Sequence, residues 1–377
     1  MTTYGRIIIL VIWSDMAARA LYFIMAAVLT LTACSHQEIG DNRWTAEEAT
    51  RWYENVEWPV GCNYVPSYAI NPIEIWQEES FNPEIIDHEL SLAEGLGFNI
   101  VRIYLHNLMW EWDKEGFKSR IDEFLDICER HGIKVTFTLF TNGGNYDNPK
   151  LGRQPDAIPG IHSSQWIQSP GTDRVNDPST WPVLKAYVQD ILRTYGNDDR
   201  ILYWCLYNEP ENYKNGARSL GLLEEVFKWA REVDPSQPCT APVWIRPGQK
   251  GSSTKLEILN SILNNVDIIT IHCYYDDELE TFIDMFKPFG RPIICQEYMG
   301  RPRSTFEGSL PVLKRERVGA INWGLVRGKC NFHLPWSSKE GDPEPEVWFH
   351  DIYNPDDTPY SESEIEFIRQ MTGVNSK

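Results

Sequence analysis

Eight short apolar runs, each closed off by polar or turn-forming residues, recur along the chain from residue 58 onward. They cover 59–64, 99–105, 133–140, 201–208, 239–244, 266–272, 292–296 and 319–324. Their length and near-continuous hydrophobicity predict strands buried on both faces. Between them the apolar positions switch to helical spacing. Ile121, Phe124, Leu125 and Cys128 form one stripe; Leu222, Leu223, Val226, Phe227 and Ala230 form another. Weaker helical patterns cover 83–96, 181–195, 255–263, 279–286 and 305–317. Two capping boxes, Thr45-x-x-Glu48 and Ser361-x-x-Glu364, open a short helix ending near residue 54 and a last one over 362–371. Strand-then-helix units of roughly 40 residues predict an α/β fold: a closed parallel (β/α)8 TIM barrel with its helices outside. A doubly wound open sheet would usually carry a glycine-rich first turn, and none is present. No linker interrupts 58–377, so a single domain is expected there.

The first 34 residues read as a leader and not as fold. Met16-Ala17-Ala18-Arg19, then an apolar run to Leu31-Thr32-Ala33-Cys34, has the basic start, apolar middle and small-residue end of a signal peptide. Its apolar segment is shorter than the ~20 residues of a membrane span. Leu-Thr-Ala-Cys resembles a bacterial lipoprotein signal. That resemblance implies cleavage, lipidation of Cys34 and, with Ser35 next, sorting to the outer membrane. Residues 35–57 then serve as a polar tether and the short helix.

Composition narrows the chemistry. A net charge of −19 argues against nucleic acid or an anionic membrane surface as partner. The membrane is expected to be met only through the lipid. Eight cysteines show no CxxC or metal-type spacing, and no phosphate-cradling, dinucleotide or HExxH motif occurs. No metal and no cofactor is therefore expected. Fifteen Trp is a high number; most are expected in the core, and exposed aromatic faces suit the stacking of sugar rings.

In such barrels the reactive groups sit where the strands run out. Those ends, in order, are Asn63 and Tyr64, Arg102, Thr141 and Asn142, Asn208 and Glu209, Trp244, His272 and Tyr274, Glu297, and Trp323. Asn208-Glu209-Pro210 closes the fourth run, where Pro210 has no N–H to continue a ladder. A carboxylate there is half desolvated, which raises its pKa. A second run ends on Glu297. Two strand-end carboxylates in one barrel are what cleavage of a glycosidic bond needs.

Taken together, Asn208-Glu209-Pro210, Glu297, Arg102, His272-x-Tyr274 and Trp323 resemble the retaining glycoside hydrolases of clan A, the cellulase-like family 5 and β-galactosidase-like family 2 type. The resemblance spans roughly 58–330. It implies Glu209 as acid/base and Glu297 as nucleophile of a carbohydrate-cleaving enzyme. Asn208 would then hold the sugar's 2-hydroxyl, while Arg102 and Tyr274 orient Glu297. Substrate contacts are further expected from His272, Trp323, Trp244, Asn63, Trp110 and Trp336, with Trp76 and Trp112 as additional stacking platforms. The loops 66–83 and 142–180 would wall the cleft. Two rival readings remain on this sequence: a barrel that binds glycans without turnover, and a transglycosylase.

Overall fold

The computed structural model describes residues 42–146, 149–212, 218–245 and 253–374. Its strands are β1 (Val60–Asn63), β2 (Ile100–Tyr104), β3 (Lys134–Thr141), β4 (Ile201–Asn208), β5 (Cys239–Thr240), β6 (Pro242–Val243), β7 (Ile269–His272), β8 (Ile293–Tyr298) and β9 (Gly319–Trp323). All pairings are parallel, in the order β5-β4-β3-β2-β1-β9-β8-β7-β6. The short pieces β5 and β6 were expected as one strand over 239–244. They part at Ala241, where the next residue, Pro242, cannot donate to a ladder. Since β5 pairs with β4 and β6 with β7, the eight-fold barrel closes through this interrupted strand.

The outer layer is built from amphipathic helices. These are α3 (Pro83–Gly95), α5 (Lys114–Arg130), α7 (Trp181–Tyr195), α8 (Leu220–Val233), α9 (Ser253–Asn265), α10 (Asp276–Phe286), α11 (Phe306–Arg315) and α12 (Glu362–Thr372). Three shorter ones, α2 (Pro72–Trp76), α4 (Asn107–Trp112) and α6 (Thr172–Asn176), lie in segments whose periodicity is too short to read. Asn71 and His106 cap two of them by accepting from backbone amides. The capping box at Thr45 forms completely. At Ser361 only half of it forms. Ser361 accepts from the Glu364 amide at 3.4 Å, but the Glu364 carboxylate turns to Arg301 at 2.7 and 2.6 Å. A buried guanidinium is a stronger donor than an exposed amide.

The opposite end of the barrel is closed by α1 (Ala46–Glu54). Ala49 and Tyr53 of this helix pack with Ile100, Tyr203, Ile268, Ile294 and Ile321, one apolar layer contributed by several strands. A buried charge cluster pins it. Asp267 accepts both Nη atoms of Arg231, at 2.9 and 2.8 Å, and the amides of Trp44 and Cys239. Those bonds delay β7, which starts at Ile269 and not at 266 as the apolar run implied.

Asp267→Ala would strand the Arg231 charge in this layer, a loss of about 3–5 kcal/mol for a buried pair. Urea unfolding of the two proteins measures it. A change below about 1 kcal/mol would mean that water reaches the cluster.

Candidate active site

At the C-terminal mouth, Glu209 directly follows β4 and Glu297 is the penultimate residue of β8. Pro210 stops β4, and Glu209 takes a left-handed backbone conformation with φ of 40°. That region costs a non-glycine residue roughly 1–2 kcal/mol. Here it turns the carboxylate into a cleft of about 510 Å³ that both glutamates line.

Glu297 is held from several sides. Arg102 Nη1 donates to its Oε1 at 2.6 Å, Tyr274 OH to its Oε2 at 2.8 Å, and Tyr104 OH to Oε1 at 3.3 Å. Burial pushes both tyrosine hydroxyls well above their ordinary range, so they remain donors. Arg102 has no solvent exposure and also donates to Asn63 Oδ1 at 2.7 Å and Asn208 Oδ1 at 2.5 Å. Asn63 in turn donates to the carbonyls of Gln296 and Asn322. One guanidinium thus ties β1, β4 and β8 together beneath the cleft.

Glu209 has a different environment. Its Oε1 lies 2.5 Å from His272 Nδ1 and its Oε2 accepts from Asn212 Nδ2 at 2.5 Å. Burial raises its carboxyl to about 7. Burial likewise lowers His272 to about 3, keeping the imidazole neutral between the two carboxylates. One carboxyl fixed by a cation and one poised to carry a proton is an arrangement that can supply an acid and a nucleophile at one pH. Ligand atoms of Glu209, His272 and Glu297 lie within 4.8 Å of one another, a spacing a divalent ion could use. Such an ion would face the Arg102 guanidinium that Glu297 already pairs with, so the set fits a proton better.

Of the expected contacts, Asn208, Glu209, Trp244, His272, Tyr274, Glu297, Trp323 and Trp336 line the cleft. Several expectations are corrected. Asn63, expected to contact substrate, lies below the floor with its side chain consumed in the network above, and Arg102 lies there too, out of a ligand's reach but orienting Glu297 as expected. Trp110 is on α4 outside the barrel, its Nε1 donating to Asp190 and its ring against Tyr187 and Lys114. Trp112, on the same helix, is exposed but does not line the cleft. Trp76 is core, packed edge-on against Phe117 and Phe124. The loop at 66–83 stays behind the wall, where Asn71 and Gln77 brace Gln154 and Gly152. Residues of 142–180 do form the wall: Gly143, Asn145, His162, Ser163 and Trp166. Cys34 lies outside the described residues. The seven described cysteines are buried free thiols.

Five lining residues escaped the sequence reading: Tyr104, Asn212, Tyr275, Phe332 and His350. Tyr104 had a signal, since it follows Arg102 by two residues and so shares its face of the strand. Asn212 had none, because its role depends on the turn after Pro210.

No family model matches the chain, and no curated protein matches it. Solved structures do. A GH5_18 protein from Bifidobacterium longum, with one glutamate replaced by alanine and in complex with Manβ1-4GlcNAc, superposes with TM-score 0.58 at 13% identity over 84% of this chain and 78% of that one. The exo-β-1,4-mannosidase of Opitutaceae bacterium strain TAV5 gives 0.58 at 17% over 89% of this chain, which spans only 63% of that one. An endo-β-1,4-mannanase from Thermotoga petrophila gives 0.55 at 16%, over 86% and 79%. The likeness is one of fold, and it agrees with the (β/α)8 barrel.

The Glu209 carboxyl stays protonated in the folded chain up to about 7, whereas an unfolded glutamate ionises near ~4.3. The folded state therefore binds an extra proton between these values, and stability falls as pH rises through them. Asp351, also raised to about 7 by burial, adds to the same slope. Glu209→Gln removes one contribution. From pH 5 to pH 8 the wild type should lose more unfolding free energy than this variant, by about 1–3 kcal/mol. Denaturant titrations across that range test this, and parallel curves would exclude a raised Glu209.

Proposed function

We propose that the chain is a retaining glycoside hydrolase acting on β-linked glycans of the plant type. The observation carrying this reading is the pair Glu209 and Glu297, with oxygens within 4.8 Å of one another and opposite proton environments. Retaining enzymes hold the two carboxyls ~5–5.5 Å apart, and inverting ones 6.5–9.5 Å. The neighbours in fold that are named for mannoside hydrolysis, or that hold Manβ1-4GlcNAc, put β-mannosides first in a substrate screen.

In the first step a Glu297 oxygen bonds to the anomeric carbon as the glycosidic C–O bond breaks, and Glu209 passes its proton to the departing oxygen. In the second, Glu209, now ionised, takes a proton from water as that water displaces Glu297 from the sugar. Tyr274, Tyr104 and Arg102 keep Glu297 aimed. Asn208 donates to Thr141 Oγ1 only at a long 3.4 Å, leaving its amide N–H groups able to meet a sugar hydroxyl. Trp323 and Trp244 supply apolar walls.

Released sugar from aryl β-glycosides, followed by NMR, should keep its anomeric configuration. Glu297→Gln should abolish turnover on every substrate. Glu209→Ala should still be glycosylated by an aryl glycoside with a good leaving group, accumulate the ester, and recover rate with azide. An inverted first product, or azide rescue at position 297 and none at 209, would overturn the assignment.

A lipid-anchored, exported location is part of the same proposal and rests on Leu31-Thr32-Ala33-Cys34. Intact mass of membrane-extracted protein should show an acylated Cys34 as first residue, and Cys34→Ala should release the protein. An unmodified chain starting elsewhere would end this reading.

A further inference from the structure

The cleft's outer rim carries a cation that has no acidic partner among the described residues. Trp336, half exposed at 50%, packs edge-on against Tyr274, the residue that donates to Glu297. Beyond it stands Arg303, exposed and just ahead of α11. Its guanidinium carbon lies 5.1 Å from the Trp336 ring, 5.0 Å from Tyr275 and 5.5 Å from Phe349. Nη1 donates to Tyr275 OH at 2.9 Å. The backbone is fixed as well, since the Arg303 amide donates to Gly300 O and its carbonyl accepts from Asp276 N, both at 3.0 Å.

Neighbouring arginines spend their charge within the fold, Arg301 on Glu364 at 2.6 Å and Arg327 on Glu344 at 3.1 Å. Arg303 does not. Among the described residues no carboxylate reaches it within the 4.0 Å of an ion pair. Asp276, which binds its carbonyl, uses its own carboxylate on Thr305 and Ser309. A guanidinium seated on aromatic rings with most of its donors open is a preformed fork for a planar anion. Beside it, Trp336 offers a face for a sugar ring. On a chain of net charge −19, such a cation at the mouth of the cleft is placed against the general field.

We propose that Arg303, Trp336 and Tyr275 form a rim subsite for an anionic sugar, a uronic acid unit near the one held at Glu209 and Glu297. Arg303 binds its carboxylate and Trp336 stacks on its ring. The substrate class is then an acidic β-linked glycan. This rests on the glycosidase reading above, yet binding can be measured without turnover.

Calorimetry on the intact protein with cellobiuronic acid against cellobiose, and with a mannuronate disaccharide against mannobiose, tests the proposal. At least one acidic sugar should bind about tenfold tighter than its neutral counterpart, the size of one charge-assisted contact. Arg303→Gln should erase that preference and Arg303→Lys should keep part of it. Trp336→Ala should weaken both members of a pair and leave their ratio in place. Equal binding of acidic and neutral sugars, a preference that survives Arg303→Gln, or no binding of any acidic disaccharide would overturn it. An acidic preference without turnover of any glycoside leaves the subsite standing and removes the hydrolase reading. Turnover without the preference does the reverse.

Discussion

The site depends on burying one charge. Arg102 sits inside the barrel with no exposure, where an unpaired guanidinium would cost several kcal/mol. Its partners, Asn63, Asn208 and Glu297, arrive from three other strands and offset that cost only if the strands keep their register. A slip in β8 by one residue would point Glu297 away from the barrel interior and strand the arginine. Structure and chemistry are therefore coupled. The same ion pair that disciplines the barrel also fixes the orientation of one cleft carboxylate.

The other carboxylate needs freedom to change its proton, and its contacts allow that. His272 is neutral, so its Nδ1 accepts when Glu209 holds a proton and donates when Glu209 is ionised, after a change of tautomer. Asn212, by contrast, only donates to Glu209, and it favours the ionised form. Burial wins over that contact and lifts the carboxyl to about 7. Within one cleft, then, Glu297 meets a permanent cation while Glu209 meets a neutral ring. The contrast in environments follows from which strand end each occupies.

The barrel was legible because parallel strands buried on both faces leave continuous apolar runs, and β4 and α7 fell where the runs and stripes placed them. Glu209, Glu297, Asn208, His272 and Tyr274 were legible because strand ends map directly onto the mouth. Tryptophans were the weak point. Trp76 and Trp110 share a composition signal with Trp336, yet only the last reaches the cleft. Whether an indole packs inward depends on short helices, α2 and α4, that carry too few turns to show a period. The loop at 66–83 misled for a related reason. A loop's length says it can reach the mouth, but not whether another, here 142–180, takes the inner position.

The walls that distinguish this cleft come mainly from two segments remote in sequence. Trp166 and His162, from 142–180, meet Phe332 and His350, from the segment after β9, with Phe332 within 5.3 Å of both the His162 and Trp323 rings. The second segment is itself pinned to the rim turn, since Arg301 N donates to Phe349 O and His350 Nδ1 lies 2.6 Å from Met299 O. Met299 directly follows β8, so the aromatic rim is registered to the strand that carries Glu297. A ligand reading that rim is thereby placed relative to Glu297. Changes made at that rim would leave the buried Arg102 network beneath it untouched.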